Sequence, residues 1–144
     1  MFFWKHKFIT ILIIAVVAYI VVNPAHKFGI ARADFVVFNR IPFTGLDLFI
    51  DFEGNVKPFM DLGAFENRRE WSKAIFETPP EEGMILIVGT GFSRASFQIS
   101  DSLVVLLDSR NIHTIQVPSP QATQQYNAAL DQKKKVALLL LIKK

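Results

Sequence analysis

MILIVGTGFSRASFQISDSLVVLLDSRNIHTIQVPSPQATQQYNAALDQKKKVALLLLI, residues Met84 to Ile142, is the stretch whose reading decides the fold. It holds three apolar runs, Met84 to Val88, His113 to Val117 and Val136 to Ile142, separated by two amphipathic segments of helical length. The last run has no polar face at all. A strand apolar on both sides belongs in the middle of a sheet covered on both faces, the usual setting of parallel strands. Each interval, roughly twenty residues, exceeds the dozen or so that a parallel crossover needs. The pattern predicts strand, helix, strand, helix, strand: an α/β domain of three layers with a mixed, largely parallel central sheet.

The helix signals agree. Ser100 or Asp101 can start a helix by accepting a bond from an orphan amide, and Leu103, Val104, Leu106 and Leu107 would form its buried face. Arg110 and Asn111 close it, a cation near the C-terminus followed by a residue tolerant of the left-handed conformation. Ser119 followed by Pro120 marks a second N-terminus, with proline at the first helical position. Ala122, Tyr126, Ala129 and Leu130 share one face, and Lys133 to Lys135 stand at the end, where cations suit the helix dipole.

Gly89-Thr90-Gly91 directly after a strand, a polar stretch through Arg94, a helix, a strand, and then Ala122 through Tyr126-Asn127 before a final apolar strand form a recognisable series. It resembles a family of compact prokaryotic α/β domains of poorly defined function that includes mitochondrial respiratory complex I assembly factor three. In that family the Gly-Thr-Gly turn recurs with a Thr-Tyr-Asn element on the second helix. Gly89, Thr90, Gly91, Tyr126 and Asn127 match; Gln125 stands where threonine is usual and Gln124 where arginine is common. The resemblance covers roughly residues 44–142 and implies assembly or accessory work on a membrane complex, with a respiratory one as the family's example.

Upstream, Asp34 to Phe38, Leu46 to Phe52 and Asn55 to Phe59 read as strands, with Glu53-Gly54 as the turn between the last two. Asn67 to Glu77, with Trp71, Ala74 and Ile75 on one side, reads as a short helix ended by Thr78-Pro79-Pro80. No repeat or low-complexity tract interrupts this region, and about 110 residues suffice for one domain with its own core.

The N-terminus carries the other strong signal. Phe8, Ile9, Ile11, Leu12, Ile13, Ile14, Val16, Val17, Tyr19, Ile20, Val21 and Val22 make a nearly continuous apolar run, preceded by Lys5-His6-Lys7 and stopped by Asn23-Pro24. As a helix this run is roughly 22 Å long at about 1.5 Å per residue, short of a hydrocarbon core of roughly 30 Å. Phe2, Phe3 and Trp4 can extend the contact while the lysines snorkel. The expectation is a single-pass, uncleaved signal anchor that binds the lipid bilayer. The alternative is a signal peptide cleaved at Ala31-Arg32-Ala33. The division is then 1–24 anchor, 25–43 connecting segment and 44–144 α/β domain. Lysines flank the run on both sides, yet a short N-terminal tail usually stays inside, which places the domain on the periplasmic or intermembrane side.

Charge excludes one partner class. The chain has 16 Lys and Arg against 13 Asp and Glu. Without Lys5, Lys7, Lys133 to Lys135 and the terminal Lys143 and Lys144, the remainder is acidic, so there is no basic groove for nucleic acid. The chain has no cysteine, hence no disulfide, thiol nucleophile or thiolate metal site. His6, His26 and His113 lack metal-ligand spacing. Asp47 and Asp51 fall on one face of a strand, and Glu81 and Glu82 are adjacent; such pairs are usually solvated surface. No Gly-x-Ser-x-Gly elbow occurs. No catalytic set and no cofactor are implied.

One turn has chemical potential. Glycines after a strand let the backbone approach an anion, so Gly89, Thr90 and Gly91 are candidate ligand contacts, with Arg94 as charge partner and Tyr126 and Asn127 as a wall. The third glycine of a dinucleotide fingerprint and the Gly-Lys-Ser of a P-loop are missing. The sequence therefore points to a membrane-anchored, non-enzymatic domain that contacts other proteins as an assembly factor. A permanent accessory subunit and a small-molecule or nucleotide-binding domain are the alternatives. Phe35, Phe38, Phe43, Phe49, Phe52, Phe59 and Phe65 supply apolar surface for the core and for a partner.

Overall fold

The computed structural model describes residues 2–59, 75–92 and 98–142. In chain order its elements are α1 (Phe2–Val22), β1 (Phe28–Arg32), β2 (Phe35–Phe38), β3 (Ile41–Thr44), β4 (Asp47–Ile50), β5 (Val56–Phe59), β6 (Met84–Gly89), α2 (Asp101–Asp108), β7 (Ile112–Val117), α3 (Ser119–Asp131) and β8 (Val136–Leu140). The apolar C-terminal run forms β8, the central strand of a sheet ordered β5-β4-β8-β6-β7. Its side chains alternate between two cores. Ala137, Leu139 and Leu141 join Phe49, Leu86, Val88 and Leu107 of α2 on one face. Val136, Leu138, Leu140 and Ile142 join Leu48, Ile50, Ile87 and the buried face of α3 on the other.

The sheet is less parallel than the sequence predicts. β6 runs parallel to both β7 and β8, but β4 lies antiparallel to β8 and to β5. The β4–β5 hairpin has a short connection, and such a connection permits antiparallel neighbours alone. α2 also departs in detail. Leu107 is buried and Leu103 and Val104 pack against its core, whereas Leu106 is 47% exposed. An eight-residue helix over an edge strand has a narrow buried stripe. Of the helix expected over Asn67 to Glu77, residues 67–74, including Trp71 and Ala74, lie outside the described residues; Ile75 is buried.

A second sheet, β1-β2-β3, is antiparallel throughout. Residues 25–43, assigned to a connection from sequence, hold β1, β2 and most of β3. Phe28, Val36 and Phe38 are buried in the α3-side core. Cleavage at Ala31-Arg32-Ala33 would remove β1 and its core residue Phe28. Asn39 and Arg40, at φ 49° and 66°, form the two-residue loop between β2 and β3, the geometry of a type I′ turn.

α1 overturns the expectation of a membrane anchor. Among the described residues no helix is long and apolar enough to cross a membrane. The apolar run from Phe8 to Val22 is roughly 22 Å long at about 1.5 Å per residue where roughly 30 Å is required. The single-pass and signal-anchor reading, and the periplasmic or intermembrane placement built on it, do not hold. What the structure does fix is the end of α1. Asn23 is fully buried; its Nδ2 donates to Tyr19 O and its Oδ1 accepts from Ile30 N. Arg40 Nε donates to Asn23 O, and Tyr19 OH donates to Arg40 O at 2.8 Å. A Cβ at Gly29 would stand 2.1 Å from Asn23 Oδ1, so only glycine lets β1 come this close.

α3 ends in a Schellman motif. Lys133 N donates to Leu130 O and Lys134 N to Ala129 O, with Lys133 at φ 56°, a position glycine usually fills. A side chain there costs about 1–2 kcal/mol. Lys133→Gly is therefore expected to raise stability by about 0.5–1 kcal/mol, net of glycine's greater chain entropy, read as a higher midpoint in urea unfolding at unchanged slope.

Candidate functional site

The Gly-Thr-Gly turn sits where β6 ends, at the carboxyl edge of the parallel strands. Gly89 is there for space: a Cβ would meet Leu140 Cδ1 at 2.6 Å and Ser119 Oγ at 2.9 Å. Gly91 is there for conformation, at φ 127°. Thr90 N donates to Val117 O at 2.9 Å, and Gly91 N donates to Ser119 Oγ at 3.0 Å. Ser119 N returns a bond to Gly91 O, and its hydroxyl donates to Leu141 O at 2.7 Å. Ser119 was expected as a helix cap. Pro118 takes the cap position and Ser119 is the first helical residue; its buried hydroxyl joins the turn, the start of α3 and the end of β8. The amides of Thr90 and Gly91, which an anion would need, are both donated inward. Arg94 lies outside the described residues.

Tyr126 and Asn127 stand two turns further along α3, roughly 10 Å from Ser119 along the helix axis at about 1.5 Å per residue. They face β1. The Tyr126 ring meets Phe28 edge-on at 5.6 Å and Phe38 at 5.9 Å, and Phe28 and Phe38 lie 4.8 Å apart. Asn127 treats β1 as a strand would: Phe28 N donates to its Oδ1 and its Nδ2 donates to Phe28 O, both at 2.9 Å. The structure thus brings Gly89, Thr90 and Gly91 together with Ser119, and Tyr126 and Asn127 together with Phe28. It does not bring the two groups into one cluster. Gln124 and Gln125, where the sequence departs from the family pattern, are exposed.

Among the described residues, Tyr126 is the titratable group whose chemistry is most altered. Burial pushes its phenol from 10.0 up to about 12, with the Asp51 carboxylate adding to the shift. It borders a cleft of about 190 Å³ with His26, Phe52, Glu53 and Lys134 on the rim. That volume falls below the several hundred Å³ of ordinary ligand pockets. The two aspartates expected on a solvated face are buried. Asp47 Oδ1 accepts from Ile142 N at 2.8 Å, and Asp51 accepts from Glu53 N, Asn55 N and Asn55 Nδ2 to shape the β4–β5 turn. Among the described residues no group of His, Asp or Glu is placed to hold a metal ion.

No protein-family model and no curated protein matches the sequence. Solved structures do match in fold. An outer membrane protein from Bartonella henselae aligns with TM-score 0.65 at 18% identity, covering 84% of this chain and 97% of its own. A Mth938-like domain of Bordetella pertussis aligns with TM-score 0.59 at 16% identity, covering 81% and 85%. A conserved hypothetical protein from Pyrococcus horikoshii OT3 gives 0.58 at 18%, covering 82% and 99%. The chain has the fold of these small α/β domains, whose function is poorly defined.

Two outcomes follow from the site geometry. Ser119→Ala leaves Gly91 N–H and Leu141 C=O without their buried partner and should cost about 1–3 kcal/mol in denaturant unfolding. Tyr126 favours its neutral form when folded, so above pH 10 the unfolded chain releases the phenol proton more readily than the native one. Its contribution is complete below pH 10 and is lost as pH rises to about 12, a fall of about 2–3 kcal/mol. Tyr126→Phe should flatten that fall in unfolding curves measured across the interval.

Proposed function

We propose that this chain is a non-catalytic domain that works by holding another protein, with α1 as the element it presents. The observation that carries the reading is the contrast along α1. Its C-terminal end is pinned through Asn23, while its side chains from Phe8 to Val22 stand exposed, Phe8 by 69% and Val21 by 74%. Apolar surface of this extent is a mark of an interaction site, and a helix laid in a partner's groove is a common way to cover it. Support from the other direction comes from the amides of Thr90 and Gly91 and the side chain of Asn127, all bonded internally, and from the Tyr126 ring, packed on Phe28 and Phe38. The family resemblance makes accessory work on a multisubunit assembly the first setting to search, and a respiratory complex the first example.

The small-molecule alternative rests on the same turn. It has less support, because the inward bonds of Thr90 and Gly91 would have to be exchanged for the ligand.

The test places a photoreactive residue at Leu12 or Val17 in the full chain and recovers crosslinked protein from native extract. The expected result is one partner in stoichiometric yield. Ile13→Asp and Val17→Asp should release it while changing domain stability by less than about 0.5 kcal/mol, as exposed substitutions do. Undiminished partner recovery with both variants would sink the reading. A thermal shift with inorganic phosphate or a nucleotide, abolished by Arg94→Ala, would favour the ligand-binding alternative.

A further inference from the structure

Among the described residues no strand lies beside the outer edge of β7, and we propose that this edge pairs with β7 of a second copy of this chain, joining two central sheets into one. Natural sheets protect their edges with proline, charge or bulges. β3 carries Pro42, β5 carries Lys57 and Pro58, and β1 has Arg32 and a break in register between Phe28 and Ala31. β7 reads Ile-His-Thr-Ile-Gln-Val and has none of these devices. Its register against β6 is unbroken from Ile112 to Val117.

The backbone of β7 is arranged for a self-complementary pairing. Thr90 N donates to Val117 O, so the peptide groups of Val117 point towards β6 and its turn. Directions alternate along a strand, which turns the N–H and C=O of Ile112, Thr114 and Gln116 outward. A two-fold axis normal to the sheet must set residues of the same face opposite one another. An axis through Thr114 does so, placing Thr114 opposite Thr114 and Ile112 opposite Gln116. All three outward residues then sit in hydrogen-bonded pairs, each exchanging two N–H···O bonds. Centring on Ile115 instead would waste Ile112, whose opposite number becomes Pro118.

Side chains on both faces suit this occupant. On the α3 face a groove of about 290 Å³ runs beside the edge, with Ile85, Ile87, Ile115 and Ala128 as an apolar floor and Gln125, Gln132 and Lys134 as a polar rim. On the α2 face Val105 and Leu106 are exposed by 69% and 47%, on the helix that packs against β7. The axis sets Thr114 opposite its own copy, and Thr–Thr is a recurrent cross-strand pair. The uncharged strand and its apolar flanks are those of an interface centre.

The chain has no cysteine, so one introduced thiol reports alone. In the full chain, Thr114→Cys is expected to form a covalent dimer under mild oxidation, whereas Lys57→Cys on the opposite edge is not. Ile115→Lys, which sets two like charges near the axis, should reduce the noncovalent dimer at least tenfold in sedimentation. In the unaltered chain, hydrogen exchange at the amides of Ile112, Thr114 and Gln116 should slow as protein concentration rises. Concentration-independent, fast exchange at those amides would overturn the proposal even if a variant failed to fold. So would crosslinking of Thr114→Cys no faster than Lys57→Cys, or a dimer that survives Ile115→Lys. Association driven by α1 would leave all three readouts at β7 unchanged, which separates this interface from the partner reading of α1.

Discussion

Burial of β8 on both faces is the constraint from which the architecture follows. Each fully buried leucine of that strand contributes roughly 1.5–3 kcal/mol, and Leu138, Leu139 and Leu140 are each at most 1% exposed. Collecting that energy requires a cover on each side. α2 and Ile75 contribute to one cover. On the other, α3 cannot do it alone: at about 1.5 Å per residue its 13 residues span roughly 20 Å and one helix width. The β1-β2-β3 sheet supplies the remainder through Phe28, Val36 and Phe38. Asn127, by bonding both polar atoms of the Phe28 backbone, is what makes helix and small sheet one continuous layer.

This explains what could be read from the chain and what could not. β6 and β8 are legible because two-sided burial leaves an apolar run that no turn interrupts, and β7 because Ile112, Ile115 and Val117 recur between two helix signals. β1 and β3 are not, since Phe-Gly-Ile-Ala-Arg and Ile-Pro-Phe-Thr lack clean alternation. Gly29 is a concession to Asn23 rather than to strand propensity, and Pro42 is tolerated by an outer strand. The antiparallel docking of β4 was hidden because strand direction is a property of connections, not of side-chain pattern. At the site, Gly89 to Gly91 and Tyr126-Asn127 stand out as residues. Their roles do not, because a glycine that admits a phosphate and one that admits Leu140 and Ser119 look alike in sequence. Ser119 was visible as a helix start, but the acceptor of its hydroxyl is 22 positions away.

The same logic bears on α1. An apolar run preceded by lysines carries one signal for two outcomes, and length decides between them: the uninterrupted run falls short of a span. What replaces the span is a helix whose far end is built into the domain. Asn23 uses its side-chain oxygen, its amide and its carbonyl to join the helix, β1 and the β2–β3 hairpin. Burying so many bonds in one asparagine fixes the direction in which α1 leaves the fold.

The cost of that fixation is visible in backbone conformation. Among the described residues, non-glycine positions with positive φ are His26, Asp34, Asn39, Arg40, Asn111 and Lys133, and the first four surround the small sheet. Histidine, aspartate and asparagine adopt this region more readily than other side chains. Arg40 does not, and glycine would be the cheaper choice in a type I′ turn. The arginine is repaid at α1: its carbonyl accepts from Tyr19 OH, and its Nε donates to Asn23 O. A glycine would keep the carbonyl bond and lose the guanidinium. The β2–β3 turn therefore trades hairpin stability for a second hold on the end of α1, and strain retained for such a purpose belongs where position matters more than stability. That trade supports reading α1 as a presented element and the small sheet as its mount.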